Sequence, residues 1–121
     1  MRKALLATAC LALVATQAQA AKCYIREYNT LGAAHGTPAQ IAAEPAVTDQ
    51  VTADFTSAPV QSSAFQLGTT FIRLWCDTQG SFLVGTNPTA ANTNAPIAAG
   101  TPEYFSVPEG GLYKLSVHSN P

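Results

Sequence analysis

The sequence predicts an all-β protein: an antiparallel β-sandwich, jelly-roll-like, of about seven short strands behind an N-terminal signal-like helix. Three observations carry this. Beyond residue 20 the hydrophobic period is close to two. The runs rich in β-branched and aromatic residues are short. Between them stand clusters of Gly, Pro, Asn and Thr, which favour turns. A closed barrel is the alternative arrangement of the same strands.

In chain order, Cys23, Tyr24, Ile25, Arg26, Glu27 and Tyr28 make a first strand, with Tyr24 and Tyr28 on one face and Ile25 on the other. Val47, Val51, Ala53 and Phe55 alternate with Thr48, Gln50, Thr52 and Asp54, so a half-buried strand with the odd positions inward is expected. Phe65 and Leu67 continue this pattern until Gly68. Residues 70–76, TFIRLWC, are apolar on both faces and read as a central strand. Thr78-Gln79-Gly80 then suits a hairpin turn into Ser81-Phe82-Leu83-Val84. Residues 104–107 and 112–117 flank Pro108-Glu109-Gly110-Gly111, which predicts a second hairpin. Residues 29–45 and 85–102 are broken by Pro, Asn and Gly and read as loops. The first holds at most one helical turn at Ile41-Ala42-Ala43, and the second an edge strand near residues 96–99.

Residues 1–20 read as a secretory signal-like segment. Arg2 and Lys3 open it, an apolar run follows, and Ala18-Gln19-Ala20 offers small residues for cleavage before Ala21. The run is about 13 residues, short of the roughly 20 that span a bilayer as a helix, so no stable membrane insertion is expected after cleavage. Residues 21–121 then form a single β-sandwich domain, periplasmic or secreted.

That domain carries Lys22, Arg26, Arg73 and Lys114 against seven carboxylates, a formal charge of −3. Four scattered cations do not make a phosphate-binding face, so no nucleic-acid partner is expected. Cys23 and Cys76 form a pair that an oxidising compartment would bridge; two separate buried thiols are the alternative. With His35 and His118 distant, no metal-ligand spacing exists, and no cofactor is expected.

No catalytic group is expected either. His35 lies in a Gly-bounded loop and His118 near the end of the chain, where fraying is the simplest reading. No Gly-x-Ser-x-Gly elbow or Cys-His pairing occurs. Asp49 and Asp54 are five apart on one strand and so point to opposite faces. Asp49 itself is out of place among inward valines. The candidate interface is the face shared by Phe71, Arg73 and Trp75, because aromatics and Arg are enriched in interface cores. Burial of that strand on both sides is the competing expectation.

Residues 82–90 (FLVGTNPTA), 96–105 (PIAAGTPEYF) and 107–111 (VPEGG), in that order, resemble a tract in small virion-associated β proteins of tailed bacteriophages and prophages. Residues 25–28, 44–48 and 70–74 are similar to the same group, so the likeness spans most of residues 21–117. It implies a non-enzymatic structural component, a capsid decoration or head-attached protein, located in the virion if the segment before Ala21 is not cleaved. Its partners would be sister subunits or capsid protein, in a homo-oligomer or larger assembly. An exported periplasmic or envelope β-domain that binds a protein or small ligand is the alternative. The signal-like segment is a departure from that group, whose own start falls near Ala21.

Overall fold

The computed structural model describes residues 19–121; the signal-like helix expected upstream lies outside the described residues. The described chain is all-β, with ten strands and no helix, hence none that is long and apolar enough to cross a membrane. They are β1 (Cys23–Tyr28), β2 (Leu31–Ala34), β3 (Thr37–Ala42), β4 (Thr48–Val51), β5 (Val60–Gln61), β6 (Phe71–Cys76), β7 (Gly80–Gly85), β8 (Ala95–Ile97), β9 (Glu103–Ser106) and β10 (Lys114–Ser119).

Eight of them form two four-stranded antiparallel sheets, ordered β4-β1-β6-β9 and β5-β10-β7-β8. The sheets are sandwich-like, facing each other across one core. The first contributes Cys23, Ile25, Ile72 and Leu74; the second contributes Leu115, Val117 and Ile97. Phe105 on β9 stacks on Phe82 on β7, with centroids 5.1 Å apart, and so bridges the sheets. Each sheet keeps two edge strands, so neither closes into a barrel.

The number of strands exceeds the expected seven mainly because residues 29–45 are not a loop. They hold the hairpin β2-β3, joined at His35 and Gly36, both with positive φ (52° and 74°). Two left-handed residues in a row make the two-residue connection whose twist matches paired strands. Ile41 and Ala42 belong to β3 and not to a helical turn. Pro38 is accommodated because the two-stranded ribbon leaves each strand a free side.

Both expected hairpins around the core are instead crossings between sheets. β6 and β7 are joined through residues 77–79 but lie in opposite sheets, as do β9 and β10 on either side of Pro108. Gly and Pro permit the reversal in either case without choosing the sheet it leads to. β6 is already flanked by β1 and β9, which is the central position its double-sided apolar pattern predicted. His118 is not frayed: it lies in β10 opposite Ser81, half-buried.

The phase of β4 is also inverted. Val51 is 55% exposed and Val47 is exposed as well, whereas Gln50 is half-buried and Thr52 buried. The reason is polar. Thr52 Oγ1 accepts from the Cys23 amide at 2.9 Å, and Gln50 Nε2 donates to the Glu27 carboxylate. Both groups belong to β1, so the even positions of β4 must turn inward. Leu67 likewise points outward, and residues 65–67 form no strand.

Glu27 is completely buried on the inner face of β1, which the sequence did not reveal. Oε2 accepts from the Gln66 amide at 2.7 Å and from Thr69 Oγ1 at 2.6 Å, while Oε1 accepts from Gln50. Three donors from two segments therefore converge on one carboxylate, which satisfies the cost of burying it.

Cys23 and Cys76 are register partners on β1 and β6 and form a disulfide. The Cys23 carbonyl accepts from the Thr52 amide while its own amide donates to the Thr52 hydroxyl, so its backbone bonds are spent on the β4 side. That makes Cys23 and Cys76 a pair with no hydrogen bonds between them, the kind in which side chains approach most closely.

Candidate functional site

The two outer faces of the sandwich are treated differently by the chain. On the β5-β10-β7-β8 sheet, the outward Ser81 and Ser116 are fully buried, because residues 86–94 lie across them. The Ala90 amide donates to Ser116 Oγ at 2.9 Å, and Gln61 Nε2 donates to Asn87 Oδ1 and the Pro88 carbonyl at 2.9 and 2.7 Å. The segment Asn87-Pro88-Thr89-Ala90 is thus the cover of one face. Its own Pro88 and Ala90 are buried.

Among the described residues, the outer face of the β4-β1-β6-β9 sheet has no such cover along its length. Alternation places Tyr24, Arg26 and Tyr28 of β1 beside Trp75, Arg73 and Phe71 of β6, in that register. Tyr104 of β9 stands opposite Arg73 on the far side, and Val51 and Asp49 of β4 stand opposite Tyr24 and Arg26. Three cross-strand rows result. Tyr24 and Trp75 form one aromatic pair with centroids 5.4 Å apart, and Tyr28 and Phe71 stack at 5.2 Å. The row between them is charged.

The hairpin β2-β3 shelters only the Tyr28–Phe71 end. Leu31, Ile41 and Ala42 face Phe71 and Tyr104 across a groove of about 290 Å³, and Tyr28 beneath is buried. At the other end Tyr24, Val51, Arg73 and Trp75 line an open, largely apolar groove of about 420 Å³, edged by Asp49 and Gln50. Phe71, Arg73 and Trp75 are half-buried, so the outward face of β6 is neither buried nor fully solvated.

Charge on this face is unevenly matched. Arg26 Nε donates to Asp49 Oδ1 at 2.8 Å and a terminal Arg26 nitrogen to Glu44 Oε1 at 3.0 Å. Glu44 also accepts from the Tyr28 hydroxyl at 2.9 Å and from the Ala46 amide at 2.9 Å. The Asp49 hydrogen bond holds the Arg26 guanidinium above its ordinary range, against a smaller lowering by burial. Burial pushes the Tyr28 phenol up, and its bond to Glu44 adds to that. Arg73, by contrast, makes no ion pair among the described residues, although Arg26 is its immediate neighbour.

The structure therefore gathers Phe71, Arg73 and Trp75 onto one face, as their spacing predicted, and adds Tyr24, Tyr104, Val51 and the Arg26 cluster. The signal for these was incomplete: Tyr24 and Tyr28 share a face by alternation, but which strand lies beside β1 is not written in either strand. Asp49, out of place among inward valines, is explained by the inverted phase of β4. Asp54 belongs to a turn with Thr56, remote from Asp49 in role. His35 is exposed at the hairpin tip. Among the described residues no three His, Cys, Asp or Glu side chains come together as metal ligands would. No family model, no curated protein and no solved structure matches the chain.

Proposed function

We propose that this chain is a non-enzymatic interaction module, exported and disulfide-locked, that binds a partner protein through the outer face of β1, β6 and β9. The observation that carries it is Arg73, half-buried and paired with no carboxylate among the described residues, set between Phe71, Trp75 and Tyr104 and beside a second Arg. Like charges directly opposite on neighbouring strands are unfavourable. A partner carboxylate flanked by apolar groups would supply the missing countercharge and cover the aromatic groove. Arg and aromatics in such a setting are the residue types that dominate interface energies. The disulfide supports export, because thiols in the cytoplasm are kept reduced.

The second reading is a virion component, a capsid decoration or head-attached subunit. What favours it, beyond the sequence resemblance, is strand order. If β1 is counted last, the sheets read 1-8-3-6 and 2-7-4-5, the order of a jelly roll whose final strand has moved to the front of the chain. The outer ends of β1 and β10 fit that description, since β1 starts opposite Cys76 and β10 ends opposite Gly80, four residues away along the chain. Jelly rolls serve capsids, but also lectins and cupins, so this support is by analogy of fold. The bridge weighs the other way, since heads assemble in a reducing cytoplasm.

Photo-cross-linking in the producing cell tests the proposal. A photoreactive residue at position 24 or 104 is expected to give a discrete adduct that Arg73→Glu abolishes, whereas one at position 83, on the opposite sheet, gives none. Equal adducts from all three positions, or none from any, would overturn it. An adduct to capsid protein would select the virion reading.

A further inference from the structure

We propose that the turn of Asp54 and Thr56 is a receptor for a free α-ammonium group at Ala21, produced by hydrolysis of the Ala20–Ala21 bond. This deepens the exported reading above and rests on it for the supply of the protease.

The geometry around Ala21 is that of a built site. Gln19 is exposed, Ala20 half-buried, and Ala21, only 3% exposed, is the first residue to join the core. The Ala21 carbonyl accepts from the Phe55 amide at 3.1 Å, and Phe55 is itself fully buried. The Ala21 nitrogen faces two acceptors at once, Asp54 Oδ1 at 3.0 Å and Thr56 Oγ1 at 3.4 Å. A peptide N–H has one proton to offer them. An ammonium has three, and one of its partners would be a carboxylate, which makes the hydrogen bond charge-assisted.

The carboxylate is arranged to stay an anion. Asp54 Oδ1 accepts from the Thr56 hydroxyl and from the Thr56 amide at 2.9 Å, and these bonds, with a smaller one from the Ala21 amide, hold the carboxyl below its ordinary range. The nearby charged groups are Lys22, whose cation lowers it further, and Asp77, which accepts the Lys22 amide at 2.8 Å. Two residues after Ala21 the chain enters the disulfide at Cys23. The anchored amine and the bridge thus pin the same strand end.

The small side chains of Ala18 and Ala20 suit an envelope endopeptidase of the signal-processing class. Water adds to the Ala20 carbonyl carbon, the C–N bond breaks, Ala20 leaves as a carboxylate, and the Ala21 nitrogen departs as an amine that takes up a proton. Because Ala21 is buried in the finished fold, cleavage precedes closure and the new terminus is drawn in as the sheet forms.

The test uses the full chain expressed with its own leader. Intact mass gives the mature first residue, and acylation by an activated acetate ester at neutral pH, mapped by peptide, gives the reactivity of the α-amine. Expected are a chain starting at Ala21 and an α-amine that reacts roughly tenfold more slowly than in Asp54→Asn, as a shift of one pKa unit would give. Thr56→Val, which keeps the carboxylate, should fall between and serves if Asp54→Asn does not fold. An exported chain starting at Ala21 with the same reactivity in every variant would overturn the receptor and leave export standing. A periplasmic chain with another first residue would do the same. An uncut cytoplasmic chain would overturn both.

Discussion

Arg26 and Arg73 are directly opposite on β1 and β6, and the carboxylates of Glu44 and Asp49 both bind Arg26. The sheet therefore carries a like-charge pair of which, among the described residues, one member is paired with carboxylates and the other is not. Replacing Arg73 by Thr should leave stability unchanged or raise it by about 0.5 kcal/mol, while partner capture is lost. Urea unfolding set beside the cross-linking yield separates the two effects. A marked loss of stability would show that Arg73 serves the fold.

The disulfide closes a loop of 53 residues between strands that are already paired. Its loss should cost about 4 kcal/mol in the chain-entropy account. Comparing urea midpoints of Cys23→Ser/Cys76→Ser with the oxidised chain measures it. Equal midpoints would mean that β1 and β6 hold together without the bridge.

Glu27→Ala leaves the Gln66 amide, the Thr69 hydroxyl and the Gln50 amide without their acceptor in the core. A loss of roughly 3 kcal/mol is expected, with Glu27→Gln costing less. Amide exchange should show residues 62–70 losing protection first. Protection lost evenly across the domain would contradict the local role assigned to this carboxylate.

Gly80 has no room for a side chain: a Cβ there would stand 2.9 Å from the His118 carbonyl oxygen and 3.3 Å from Phe55. Gly80→Ala must push β7 away from β10, at about 1–3 kcal/mol by the cost of overpacking. Thermal unfolding of this variant beside Gly85→Ala, whose nearest neighbour is 3.6 Å away, checks the steric origin.

Acid and alkali act on different ends of β1. The folded Asp54 carboxyl lies below its ordinary value of 3.8, so its contribution is present above that pH and lost as pH falls through the folded value. The Tyr28 phenol lies above its ordinary 10.0, so its contribution is present below that pH and lost as pH rises through the folded value. In melting curves against pH, Asp54→Asn should flatten the acid limb and Tyr28→Phe the alkaline one. An unchanged limb in either variant would remove that group from the account.

Much of the candidate face was legible, and the reason is geometric. Phe71, Arg73 and Trp75 alternate with Ile72, Leu74 and Cys76 within one strand, and alternation needs no knowledge of neighbours. Tyr24 and Tyr104 were invisible as partners because register belongs to pairs of strands. The cover on the opposite sheet was equally hidden: Asn87-Pro88-Thr89-Ala90 reads as a loop, and only the buried Ser116 shows what it lies upon.

What the sequence by itself determined is the β character of the chain, the place of β1, β6 and β7, the centrality of β6 and the availability of two cysteines for one bridge. These follow from local periodicity and composition, which act over a few residues. Only the tertiary structure decided that the turns at Gly80 and Pro108 cross between sheets, that β4 shows its valines to solvent, that Glu27 is buried and that no described segment covers one outer face. A turn residue permits a reversal without choosing the edge it leads to, and an amphipathic strand has no inside until its partners' polar groups need satisfying.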